Sequence, residues 1–208
     1  MKPKRVLVGC ECSGVVREAF RALGHDAWSC DLQPADDNSP YHIQADLLTV
    51  INDGWNLAVF HPPCTHLAVS GAAWFKDKVE LQADALDFVR ALMNAPIPMI
   101  AVENPVSVIS TYIRKPDQII QPYEFGHMER KTTCLWLKNL PKLVHQTEWK
   151  YLVDALPKNL QNPLHYLPPS ADRGQLRSKT YQGIATAMAT QWGVWEQFTP
   201  NMFEVMTS

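Results

Sequence analysis

No stretch of this chain stays apolar for the roughly 20 residues that a bilayer span requires. The basic start, Met1 to Arg5, leads only into Val6-Leu7-Val8, too short for a secretory core. These absences predict a cytoplasmic protein with no membrane partner. Paired cysteine spacing is also missing: Cys10, Cys12, Cys30, Cys64 and Cys134 are odd in number and scattered. That argues against a disulfide framework and for reduced thiols. No internal repeat and no low-complexity tract interrupts the chain. Charge is modest, at 19% of residues against 46% hydrophobic, the balance of a globular protein rather than a disordered one.

What is there suffices for one full core: 208 residues, expected to form one catalytic domain over 1–208. Residues 138–178 read as an irregular insertion, holding Pro141, Pro157, Pro163, Pro168 and Pro169, five of the 16 prolines. The net charge of −2 hides an asymmetry. Residues 1–104 carry 8 Lys/Arg and 13 Asp/Glu, whereas residues 105–208 carry 11 and 8. Any basic face for nucleic acid must come from the second half, from residues such as Arg114, Arg130, Lys131, Arg173, Arg177 and Lys179. A solvated surface would look the same at any one of these positions.

Residues 5–9 read as a buried strand, followed by the turn-like Cys10-Glu11-Cys12-Ser13-Gly14 and a helix over 15–23 with Gly24 as its cap. A second strand, 27–30, closes on Asp31. Strands are also expected at 57–60, 98–102 and 133–137, with helices at 77–94 and 180–192. Asp46 precedes an apolar turn at 47–51. Alternating strands and helices predict an α/β fold with a mainly parallel sheet, whose sites gather at the C-terminal strand ends. Cys10 to Gly14, Asp31, His61 to Cys64 and Glu103 to Pro105 all fall at such ends.

Pro62-Pro63-Cys64 is the sharpest motif. Two prolines fix two φ angles, stop the strand and present the thiol from a stiff turn, where a nucleophile with a raised thiolate fraction belongs. A lone cysteine is more often a small buried hydrophobe; the Pro-Pro context shifts the balance to function. Glu103 follows Met99-Ile100-Ala101-Val102, so desolvation is expected to raise its pKa and make it a proton donor; a loop cap or a surface ion pair is the plainer alternative. Asp31 and Asp46 can accept hydrogen bonds from a nucleoside, or serve only as loop acids.

Three rival readings use the same residues. His61, Cys64 and His66 suggest zinc, but the His-x-Glu and Pro-Cys-x-x-Cys pattern of a zinc deaminase is lacking. An amino-methyltransferase would carry Asp/Asn-Pro-Pro and an aromatic residue where His61 and Cys64 stand. A non-catalytic nucleic-acid-binding protein could stack bases on Trp74, Phe75 and Trp149.

The order of these motifs resembles the DNA cytosine C5-methyltransferase family over about residues 5–192. In that family a Gly-rich first motif binds S-adenosylmethionine, a Pro-Cys motif holds the nucleophile and a Glu-Asn motif contacts the base. The corresponding pieces here are Cys10-Glu11-Cys12-Ser13-Gly14, Pro62-Pro63-Cys64-Thr65 and Glu103-Asn104-Pro105. Tyr181-Gln182-Gly183-Ile184-Ala185 resembles the closing motif beside the cofactor. Glu129-Arg130-Lys131-Thr132-Thr133 stands where the family has a Gln-Arg-x-Arg-type motif.

The resemblance implies a Rossmann-like, S-adenosylmethionine-dependent methyltransferase fold and a DNA partner, with no metal expected. It assigns Cys64, Glu103 and Lys131 to catalysis and Asn104, Thr65 and Arg130 to the substrate. Cys10, Glu11, Cys12, Ser13, Gly14, Asp31, Asp46 and Pro62 fall to the cofactor. The first motif has one glycine where the family has several. Residues 138–178 are too short for the family's usual target-recognition domain, which implies low sequence specificity, or an RNA or nucleotide substrate. Small chains of this sort resemble those encoded by bacteriophages, which would place the protein in a host cytoplasm.

Overall fold

The computed structural model describes residues 2–69, 79–170 and 172–195. Its centre is a seven-stranded sheet in the order β3-β2-β1-β4-β5-β7-β6. The strands are β1 Arg5–Gly9, β2 Asp26–Asp31, β3 His42–Gln44, β4 Leu57–Phe60, β5 Met99–Pro105, β6 Gln118–Ile120 and β7 Thr133–Lys138. β1 to β5 run parallel, whereas β7 runs antiparallel to both β5 and β6. The central strands are continuous apolar runs, because helices cover both faces.

The pleat divides the core. Val6, Val8, Val59, Ala101 and Leu135 pack on one face, beneath α1 (Val15–Arg21) and α8 (Gln182–Trp192). Leu7, Phe60, Ile100, Val102 and Trp136 pack on the other, with Leu86, Val89 and Leu92 of α3 (Val79–Met93). Ile184, Met188 and Trp192 of α8 are buried at the helical spacing read from the sequence, and small Ala185 and Ala189 share that packing.

Strand register builds the site. Gly9 pairs with both Cys30 and Phe60, and Phe60 pairs with Val102. One step further along each strand stand Cys10, Asp31, His61 and Glu103, which therefore form a row across the C-terminal edge.

Several expected boundaries differ. α1 stops at Arg21, and β5 runs on through Glu103, Asn104 and Pro105 because β7 pairs with all three. β3, β6, α2 (Leu47–Val50) and α4 (Ile109–Tyr112) are three or four residues long, too short to leave a period in the sequence. Residues 138–178 are not wholly irregular: they carry α5 (Lys150–Asp154), α6 (Lys158–Gln161) and α7 (Arg173–Ser178). Positions 77 and 78 of the expected third helix lie outside the described residues, as do Trp74 and Phe75. No helix among the described residues is long and apolar enough to cross a membrane.

Gly183 explains part of the closing motif. A Cβ there would lie 1.8 Å from the Phe125 carbonyl oxygen, in the short 3-10 turn Pro122–Phe125. Backbone cannot yield as a flexible side chain can. Gly183→Ala is expected to destabilise the protein by about 1–3 kcal/mol, since overpacking forces a helix shift. A thermal melt checks it, and an unchanged midpoint would contradict this packing.

Candidate active site

Cys64 sits four residues beyond the end of β4. His61 N–H still donates to the Gly9 carbonyl at 2.9 Å, extending the sheet ladder by one bond. Pro62 is buried, while Pro63 and Cys64 are exposed. The backbone N–H groups of Leu67 and Ala68 then donate to the Cys64 carbonyl at 3.0 and 2.9 Å, closing a turn behind the thiol. Asn104 Nδ2 donates to the Pro62 carbonyl at 2.8 Å, tying this turn to β5. Asn104 is 1% exposed, and the pleat sends it to the face opposite Glu103. Asn104 thus supports the turn that carries Cys64.

Glu103 and His61 meet across the β4–β5 boundary, Nδ1 to Oε2 at 3.1 Å, with side chains only 16% and 10% exposed. The expected rise in the Glu103 pKa does not occur. Burial pushes it up, but His61, Lys131 and Thr133 together hold the carboxyl below the usual value. Lys131 reaches the same place from the loop before β7. Its Nζ donates to the Lys179 carbonyl at 3.0 Å and lies 5.6 Å from the Tyr181 ring centroid. Burial lowers its pKa, against the raising effect of Glu103 and Cys64.

The Cys64 thiol is likewise shifted opposite to expectation. Packing around the sulfur raises its pKa and the Glu103 charge adds to this, while Arg177 and Lys131 pull it down. Burial first, and then three charges remote in sequence, set how readily this thiol ionises.

Arg130 does not share this role. It pairs with Asp154 of α5, lies 5.9 Å from the Tyr123 ring centroid, and its backbone N–H donates to the Gln161 carbonyl. It fastens the insertion to the body of the protein. Thr65 is exposed beside Cys64.

The other half of the edge surrounds the turn after β1. Cys10 adopts φ +59 and Gly14 φ +71, left-handed conformations that redirect the chain into α1. Gly14 supplies no capping side chain. Instead the buried Glu11 carboxylate accepts from the N–H groups of Val16 and Arg17 at 2.8 and 3.2 Å, and from Ser13 Oγ at 3.2 Å. Glu11 and Ser13, expected to touch a cofactor, are thus engaged in shaping the turn.

Asp31 uses Oδ1 to accept from Gln33 N–H, and Asp46 uses Oδ1 to cap α2 at Leu48. Among the described residues the second oxygen of each carries no bond. Burial, helped by both acids, pushes the Cys10 thiol up to about 12, so it stays neutral between them. Two carboxylates with spare acceptor capacity at neighbouring strand ends suit hydroxyl and amino donors. Burial and Asp36 raise Cys12 as well, and its carbonyl accepts from Asp36 N–H.

α7 joins the two halves. Gln175 Nε2 and Lys179 Nζ hold Asp36 at 2.7 and 3.0 Å, on the side of the Cys10 to Gly14 turn, and the Lys179 carbonyl holds Lys131 on the thiol side. No residue of α7 is buried. Sequence reasoning gave His61 only a place in the rival zinc reading and Arg177 only a place on a basic face, and it passed over Asp36. The strand register could have found His61, since it follows Phe60 as Glu103 follows Val102. Only tertiary structure brings Arg177 to the thiol.

A groove of about 520 Å³ opens on the other face, lined among others by Arg90, Ile113, Arg114, Trp136 and Lys138. Its cations are already bonded, Arg90 and Arg114 to Asp87 and Asp117, Lys138 to the Ala95 carbonyl. Among the described residues no cluster of three or more His, Cys, Asp or Glu side chains could hold a metal.

No family model and no curated protein matches this sequence. Solved structures do. The methyltransferase EhMeth of Entamoeba histolytica superposes with a TM-score of 0.51 at 17% identity, over 71% of this chain and 58% of that one. The fold is that of the Rossmann-like methyltransferases. The chain spans little more than half the length of that structure.

Proposed function

We propose that the protein transfers a methyl group from S-adenosylmethionine to C5 of cytosine in nucleic acid, with Cys64 as the covalent nucleophile. The observation that carries this reading is the grouping of an exposed thiol on a proline-stiffened turn with Glu103 and Lys131, beside a separate acid-lined strand edge. The donor set on that edge fits the cofactor. Asp31 and Asp46 each keep an acceptor oxygen for ribose hydroxyls and an adenine amino group, and the Cys10 to Gly14 turn offers backbone next to them. When bound there, S-adenosylmethionine would supply the methyl as an electrophilic sulfonium.

C5 of cytosine is a poor nucleophile. Addition of the Cys64 sulfur at C6 converts it into an enamine carbon able to take a methyl group. Negative charge then builds on the ring at N3, where Glu103 stabilises it after taking up the proton that the Cys64 thiol gives up on becoming the thiolate. Glu103 is ionised at rest. A base stacked against it expels the remaining water, which strengthens the burial already pushing that carboxyl toward protonation. Lys131, beside both groups, offsets charge on the thiolate and on Glu103. After methylation a water molecule takes the C5 proton, the C5–C6 double bond re-forms and the sulfur leaves as the thiolate. In a duplex the base must first leave the stack.

The test is transfer from labelled S-adenosylmethionine to cytosine-containing DNA, followed by hydrolysis to nucleosides and mass analysis. 5-Methyldeoxycytidine in many contexts is expected, because residues 138–178 offer little recognition surface. No methylated base on duplex, single-stranded or RNA substrates would refute the reading. Asp31→Ala is expected to weaken cofactor binding by about 0.5–1.5 kcal/mol through lost ribose bonds. Calorimetric titration with unchanged affinity would remove Asp31 from the cofactor site.

A further inference from the structure

We infer that His42 is a positioning residue for the cofactor: from the edge strand β3 it grips the turn after β2 and so aims the free oxygen of Asp31. This rests on the cofactor reading above. His42 Nδ1 lies 2.8 Å from Ser29 Oγ, and His42 Nε2 lies 2.9 Å from the Gln33 carbonyl oxygen. Behind Ser29 stands the fully buried Arg17 of α1, whose Nη1 donates to the same Oγ at 2.7 Å. A peptide carbonyl only accepts, so Nε2 carries the hydrogen. It does so in the neutral and in the protonated ring alike, and the grip on Gln33 survives either charge. In the neutral ring Arg17 donates to Ser29, Ser29 to Nδ1, and Nε2 to Gln33, a run of aligned bonds that polarise one another.

The outer end of this run reaches Asp31. Gln33 N–H donates to Asp31 Oδ1 at 2.9 Å, so the residue that His42 holds by its carbonyl holds the carboxylate by its amide. Gln44, two positions along β3, donates its Nε2 to the Leu32 carbonyl at 3.2 Å. The parallel register sets His42 beside Ser29 and Gln44 beside Asp31. Strand alternation puts both side chains on one face, while Ile43 between them packs against the core. The inner end lies against the first turn: a Cβ on Gly14 would stand 2.2 Å from Arg17 Nη2. One buried guanidinium thus abuts the Cys10 to Gly14 turn and, through Ser29 and His42, braces the turn that carries Asp31.

The fold alone does not call for this grip. Leu32 and Gln33 are exposed, so water would satisfy their carbonyls without loss. β2 and β3 are already paired backbone to backbone. The side-chain bonds add a fixed geometry to an exposed turn, the support that a binding carboxylate needs.

Two amides separate the two bonds of His42. His42→Gln places an amide nitrogen where Nε2 stood and keeps the donor to Gln33. His42→Asn places its amide where Nδ1 stood, keeps a partner for Ser29 and loses the reach to Gln33. Calorimetric titration of the whole chain with S-adenosylmethionine is expected to show about three- to tenfold weaker binding in His42→Asn and a change within about twofold in His42→Gln. Equal losses, or a larger loss in His42→Gln, overturn the assignment, because a role confined to bracing Ser29 gives that result. The same titrations in Asp31→Ala protein close a double-mutant cycle. There His42→Asn should add less than about twofold, since the group it aims is gone. A loss as large as in the presence of Asp31 overturns the role.

If His42→Asn does not fold, Gln44→Ala carries the test, since Gln44 is exposed. It is expected to weaken binding about two- to threefold when Asp31 is present and not in Asp31→Ala protein. Unchanged affinity with Asp31 present, or equal losses in both backgrounds, overturns the clamp. Failure of the unsubstituted chain to bind S-adenosylmethionine would strike the proposed function and the role of His42 with it, whereas binding with additive losses strikes His42 alone.

Discussion

Cys64→Ala is expected to lose methyl transfer to background, a fall of about 1000-fold or more, as for other enzymes deprived of a covalent nucleophile. Cofactor affinity should stay nearly constant. The sulfur stands exposed at the tip of its turn, so removing it opens no core cavity and the thermal midpoint should barely move. The turn itself persists, because the Asn104 bond to Pro62 and the two bonds onto the Cys64 carbonyl do not involve the thiol. The carboxylates proposed to hold the cofactor belong to the β2 and β3 ends. No neighbour replaces the sulfur: the Thr65 hydroxyl is a far weaker nucleophile at neutral pH. Methyl incorporation and calorimetric titration on the same preparation check both halves. Full activity in Cys64→Ala would end the covalent mechanism.

Glu103→Gln is expected to move two observables in opposite directions. Turnover should fall by roughly 100- to 1000-fold, the cost of losing a group aimed at developing charge. The thiol should become easier to ionise. Glu103 is the chief charge raising the Cys64 pKa above its ordinary value of 9.0, and Arg177 and Lys131 would then act without it. Alkylation by iodoacetamide over a pH series reads this directly. The unsubstituted protein should reach half its maximal rate above pH 9.0, because burial and Glu103 both disfavour the thiolate. The variant's curve should shift to lower pH, with faster labelling at any given pH below the plateau. Superimposable curves would show that the two groups are not electrostatically coupled.

Much of the fold is legible in the sequence because long apolar runs admit one arrangement. The stretches at 5–9 and 57–60 appear as strands with the boundaries their composition suggests, and Ile184, Met188 and Trp192 share a buried face. Short edge elements are not legible, since β3 and β6 have three residues each and take their shape from neighbours. The site divides in the same way. Proline fixes the Cys64 turn locally, so a motif can announce it. The ionisation of Glu103 depends on His61, 42 positions away, and on Lys131, and it reverses the sign that local burial alone implies. Glu11 shows the converse: a residue in the right motif whose side chain is engaged by the helix it precedes.

The short helix α7 has a consequence for the timing of turnover. It contributes no buried side chain and is held to Asp36 by a glutamine and a lysine, exposed contacts worth about 0–1 kcal/mol each. The same segment reaches Lys131 through the Lys179 carbonyl. The two halves of the edge therefore share one lightly fastened segment. On the proposed function, release of spent cofactor and of modified base is expected to disturb it, which would link the residence times of the two products. Added salt, by screening the Lys179–Asp36 pair, is then expected to shorten both together.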